Sequence, residues 1–154
     1  MFTFAIDKER LFKHFQKDPV LFAYHIGDLD ERYFRHCQFA CTYNETAHIL
    51  ESVLIYSGLA TPTVLAFGVT DGFGDLLQEL MPVLPLRFYS HYQMAYHGQF
   101  LQTYNEADLG LHYKMKLGTF VPAKSQPEAG SIKPLSLADS EAVTAFYRAA
   151  YPDG

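Results

Sequence analysis

Hydrophobic positions in this chain follow two spacings, and each change of spacing marks a change of element. Phe2-Thr-Phe-Ala5 fits a short strand. Ile6-Asp7 then supplies a hydrophobic staple and an N-cap, with Ile6 placed to meet Leu11 across the first turn. Leu11, Phe12 and Phe15 recur at helical spacing, which predicts a helix from Lys8 to Lys17. Asp18-Pro19 pairs an N-cap with a proline at the first helical position. A second helix is therefore expected through Val20, Leu21, Tyr24 and His25, until Gly27 interrupts it. Asp28-Leu29-Asp30 restarts a short turn towards Arg35.

The middle of the chain is β-prone. Gln38 to Tyr43, Ala47 to Tyr56 and Thr61 to Phe67 read as three strands, separated by the turn residues Asn44-Glu45 and Ser57-Gly58. Such short connections predict an antiparallel meander. After the glycine-containing stretch 68–74 the period returns to helical, with Leu76, Leu77, Leu80 and Met81 on one face until Pro82 and Pro85. Arg87 to His97 alternates, with Phe88, Ser90, Tyr92, Met94 and Tyr96 facing one way and Arg87, Tyr89, His91, Gln93 and His97 the other. That pattern predicts a half-buried strand. A short helix over Gly98 to Tyr104 and a strand over Leu109 to Leu117 follow.

Residues 121–131 change material: Pro122, Lys124, Ser125, Gln126, Pro127 and Gly130 have linker composition. Ile132 to Leu135 can open another strand. Ser136-Leu-Ala-Asp139 fits a capping box with Asp in place of Glu, and Val143, Phe146, Tyr147 and Ala150 mark an amphipathic helix ended by Pro152. The expected organisation is a domain over 1–120, a linker over 121–131, and a lone strand and helix over 132–154. Val143, Phe146 and Tyr147 are expected to bury against the domain or a second molecule, as a helix this short is marginal alone. A homodimer with exchanged tails is one such arrangement.

Composition narrows the function classes. Of 154 residues 49% are hydrophobic and 19% charged, a globular balance. The 13 Phe and 11 Tyr, without Trp, point first to a core of large rings and second to an aromatic pocket. A net charge of −5, with scattered Lys and Arg, argues against nucleic acid as a partner. No apolar run reaches the roughly 18 residues of a membrane span, and Met1 to Arg10 lacks signal-peptide order, so a cytoplasmic protein is expected. Cys37 and Cys41, near His36 and His48, would lie about 13 Å apart on a strand. They read as reduced thiols, and no metal is expected.

The order helices, three-strand meander, glycine loop, helix, strand and last strand resembles the GNAT family of N-acetyltransferases. The segments Phe22-Ala-Tyr-His-Ile-Gly-Asp28-Leu29-Asp30 and His112-Tyr-Lys-Met115-Lys-Leu117 are similar to the first half of tandem GNAT proteins. In those, a degenerate copy precedes a catalytic one. The tail Ile132-Lys-Pro-Leu-Ser-Leu-Ala-Asp139 through Val143, Phe146, Tyr147 and Tyr151-Pro152 looks like the opening strand and helix of the second copy. The resemblance implies an α/β (α+β) fold with a mixed, mostly antiparallel central sheet flanked by helices.

It also implies acetyl-CoA as cofactor, its diphosphate cradled by a loop Arg/Gln-x-x-Gly-x-Gly/Ala at a helix N-terminus. Val69-Thr70-Asp71-Gly72-Phe73-Gly74 takes the matching place, which makes Gly72, Phe73 and Gly74 the cofactor-binding candidates. Val69 replaces the Arg or Gln, the run into the helix is shorter, and Asp71 and Asp75 set negative charge beside a negative ligand. Acetyl-CoA is therefore expected on the second copy. By the same resemblance Glu51 is the candidate base and Tyr104 the candidate acid, while His91 and His97 are pocket candidates. Three functions follow in order: the cofactor-poor N-terminal domain of a two-domain acetyltransferase; a complete small acetyltransferase using the loop Val69 to Gly74; a non-enzymatic module binding a ligand or partner.

Overall fold

The computed structural model describes residues 1–107, 110–112 and 135–150. The chain divides into two compact units, Met1–Lys116 and Leu117–Gly154. In the first unit the strands are β1 (Thr3–Ala5), β2 (Cys37–Tyr43), β3 (Ile49–Tyr56), β4 (Thr63–Ala66) and β5 (Tyr89–Tyr92). The helices are α1 (Lys8–Phe15), α2 (Ala23–Gly27), α3 (Glu31–Phe34), α4 (Phe73–Leu80) and α5 (His97–Leu101). The strands form one sheet in the order β1-β2-β3-β4-β5. The first three pairings are antiparallel and β4–β5 is parallel. The fold is thus α+β, with a mixed, mostly antiparallel sheet carrying helices.

Local chemistry accounts for most element ends. Asp7 caps α1 by accepting the Glu9 and Arg10 amides, each at 3.1 Å. Asp30 caps α3 through the Arg32 amide. The β2–β3 turn is organised by Asn44, whose Oδ1 accepts the amides of Thr46 and His48 at 3.0 and 2.9 Å. A parallel partner cannot follow by a tight turn, so β4 reaches β5 through the glycine loop and α4.

Alternation along the strands sends side chains to two cores. Val53, Ile55, Val64 and Ala66 meet Phe73, Leu76, Leu77 and Leu80 of α4 on one face. Phe39, Leu54, Leu65 and Phe67 meet Leu11 and Phe15 of α1 on the other. The second core is built of rings: Phe15 lies 5.2 Å from Phe22, 5.1 Å from His25 and 5.8 Å from Phe39 between centroids. Aromatic abundance is spent on packing here.

Three expected boundaries move. Asp18 accepts the Leu21 amide, but residues 18–22 form turns and α2 begins only at Ala23. Gly74, expected in the loop, lies inside α4, which starts at Phe73. The strand expected over Arg87 to His97 shrinks to Tyr89–Tyr92, because its partner β4 ends at Ala66, opposite Tyr92. Met94–Tyr96 then form a 3-10 turn and His97 opens α5, so His91 and His97 do not share a strand face. The expected strand over Leu109 to Leu117 lies outside the described residues except for 110–112, and so does the linker 121–131.

In the second unit the Asp139 carboxylate accepts from the Ser136 amide and hydroxyl, both at 2.9 Å, and α6 (Ser140–Ala150) follows. Within this unit Phe146 is 69% exposed and Tyr147 58%. Among the described residues no helix is long and apolar enough to cross a membrane.

Two stability effects follow. Ala47 holds a φ of 59°, a left-handed conformation unfavourable to any residue with a Cβ. Ala47→Gly is expected to stabilise the chain by roughly 0.5 kcal/mol in denaturant unfolding. Burial, reinforced by the Lys17 ammonium, lowers the His14 pKa from 6.5 to about 4. The unfolded chain accepts this proton more readily, so the contribution to stability is complete above pH 6.5 and fades as pH falls towards 4. Unfolding at pH 5 instead of pH 7 is expected to show about 2 kcal/mol lost through this group, and His14→Leu to remove that share of the loss.

Candidate functional site

The glycine loop leaves the C-terminal end of β4 and delivers the chain to α4. Gly68 is required there by close approach: a Cβ on it would sit 2.3 Å from the Phe73 ring. Gly72, by contrast, has room, since a Cβ would meet only Thr70 Oγ1 at 3.6 Å. Gly74 packs α4 towards α5, where a Cβ would come within 3.2 Å of Gln99 Nε2. Among the loop's glycines the tightest therefore precedes the expected motif, and Gly74 contributes helix packing.

The loop's backbone amides converge on side chains of the same domain. Gly68 N–H donates to Gln93 Oε1 at 2.9 Å. Val69 N–H donates to Glu51 Oε2 at 3.1 Å, and Thr70 N–H to Glu51 Oε1 at 2.5 Å. Gly72 N–H donates to Thr70 Oγ1 at 3.2 Å. Glu51 projects from β3 and is only 1% exposed. Both of its oxygens are thus engaged by successive amides, the arrangement that lets a carboxylate stay buried. Nearby, the Tyr96 phenol is raised above its usual range, first by burial and then by the charges of Glu51 and Asp71.

Beside the loop lies an open cleft of about 610 Å³, walled by Lys17, Asp18, Leu21 and Leu50 together with residues 68–70 and Gln93. Lys17 Nζ donates to the Ile49 carbonyl at 3.1 Å and lies 3.4 Å from His14 Nδ1. The cleft places one ammonium beside the loop, while the amides of Gly68, Val69 and Thr70 already have acceptors.

This arrangement does not fit a diphosphate group. The Val69 and Thr70 amides are occupied by a carboxylate, and Asp71 and Asp75 flank the helix start with like charge. Phe73, the third cofactor candidate, is fully buried against α4's own core and meets Tyr96 at 4.8 Å.

The other candidates are dispersed. Tyr104 hydroxyl donates to the carbonyls of Met81 at 3.2 Å and Leu84 at 3.5 Å, and burial raises its phenol pKa. His91 is exposed and lies 6.0 Å from the Tyr24 ring. His97 Nδ1 is 2.8 Å from Tyr92 hydroxyl and 3.6 Å from Glu106 Oε2. Only Glu51 joins the glycine loop. Sequence pattern missed Gln93, placed on a strand face by alternation, and Tyr96, whose partners come from β3 and the loop.

Cys37 is half-buried and Cys41 buried, and burial pushes both thiols up to about 12. Among the described residues no group of three His, Cys, Asp or Glu side chains could hold a metal ion. Compared with protein-family models, with curated proteins and with solved structures, the chain matches none.

Tyr104 acts here as a strut between α5 and the segment after α4. Tyr104→Phe is expected to cost about 1 kcal/mol in thermal or denaturant unfolding, the usual worth of a hydrogen bond lost at a partly buried site.

Proposed function

We propose that this chain is mainly the non-catalytic, GNAT-like N-terminal domain of a cytoplasmic, acetyl-CoA-dependent N-acetyltransferase. Residues 132–154 supply the first strand and helix of the copy that carries the chemistry. The observation that carries this reading is the glycine loop: it stands between β4 and α4, where the resembled family holds diphosphate, yet Glu51 and Gln93 take its amides.

The element order adds support. A meander of β2, β3 and β4 is followed by the loop, α4 and β5, the order that the resemblance leads one to expect. The exposed apolar side of α6, with Phe146 and Tyr147, suits a helix that packs within a second domain or against a second copy of the chain. Under this reading the first unit shapes the substrate side or the domain interface, and neither Tyr104 nor Glu51 transfers a proton.

Calorimetric titration of the 154-residue chain with acetyl-CoA tests the proposal. No saturable heat at tens of micromolar protein is the expected result. Micromolar affinity would instead favour a complete small acetyltransferase working through residues 69–74.

A further inference from the structure

Backbone N–H groups presented in succession by a turn before a helix form a concave anion site, irrespective of what supplies the negative charge. In this chain the supplier is internal. Glu51 is a carboxylate with 1% exposure, each oxygen bound by one amide of a consecutive pair, Val69 and Thr70. A buried carboxylate on a sheet strand is costly unless such donors are present. The strand gains nothing from Glu at this position, whose neighbours on the same face, Val53 and Ile55, are apolar.

The loop is also held from a second direction. Gln93, beyond β5, accepts the Gly68 amide at 2.9 Å, so the donors of three successive residues point at side chains instead of solvent. The open cleft along residues 68–70 shows that a soluble anion has a route to the loop. What it lacks there is a free amide at residues 68–70.

We infer that Glu51 is the resident anion of the glycine loop, a built-in carboxylate that occupies the Val69 and Thr70 amides and keeps external diphosphate off this domain. This deepens the proposed function and rests on its identification of the loop. The loop geometry is retained because it fixes the path from β4 to α4, while binding is suppressed by an acid on the adjacent strand. Removing the carboxylate leaves two aligned amides without an acceptor and takes away a charge that repels phosphate.

Amide NMR on the full chain, titrated with inorganic diphosphate, tests the inference. In the unaltered chain the Val69 and Thr70 resonances should not move, and both amide nitrogens should show scalar coupling across a hydrogen bond to the Glu51 carboxyl carbon. In Glu51→Ala the same resonances should shift saturably, with affinity at least about tenfold above the unaltered chain. Glu51→Gln keeps the shape and loses the charge, so it guards against a misfolded alanine variant and should show a smaller gain. Diphosphate shifts at these amides in the unaltered chain, absence of the scalar couplings, or folded variants that gain nothing would each overturn the inference. The probe is diphosphate, so acetyl-CoA binding elsewhere on the chain would refute the proposed function while leaving this result standing.

Discussion

A charged hydrogen bond set near the start of β3 governs how the C-terminal half of the first unit is laid out. Glu51 must find donors because burial of a bare carboxylate is costly, and it takes the amides of Val69 and Thr70. Meeting that need bends the chain immediately after Phe67. The bend brings Phe73 against Gly68 and starts α4 at a fixed place over the sheet. From there Leu76, Leu77 and Leu80 fall onto Val53, Ile55 and Val64 without further instruction. Gln93 fixes the other side of the loop, and the chain therefore turns away from the sheet once Tyr92 has paired with Ala66.

Where a single spacing ruled a segment, the sequence announced it. The β2–β3–β4 meander, the cap at Asp7, the turn at Asn44 and the apolar face of α4 all follow from contacts within a few residues. The failures have one cause, which is that a distant partner decided them. Alternation continued cleanly from Arg87 to His97, but strand length was set by β4, which offers only four residues for pairing. Asp18-Pro19 is a sound helix start on local grounds. Packing of Phe22 among Phe15, His14 and His25 instead holds those residues in turns until Ala23.

The site was legible to a smaller degree for the same reason. The glycine spacing marks the loop between β4 and α4, and Asp71 and Asp75 argue against an anionic ligand there. The acceptor of the loop's amides lies on a strand some eighteen residues earlier, where nothing local distinguishes Glu51 from an exposed acid beside Leu50. Its burial arises only when the sheet forms. Gln93 was equally hidden, since its side chain matters only after Gly68 is placed.

The same loop illustrates how a glycine motif can outlast the chemistry it resembles. Gly68 is held by contact with Phe73, and Gly74 by its approach to Gln99. Both needs belong to folding and would persist with no ligand at all. Gly72 alone has space for a side chain, so its freedom is not demanded by packing. An acceptor for the amides of Val69 and Thr70 is nevertheless needed, and the buried Glu51 carboxylate provides it. Here that acceptor comes from the chain's own sequence, a glutamate on the neighbouring strand.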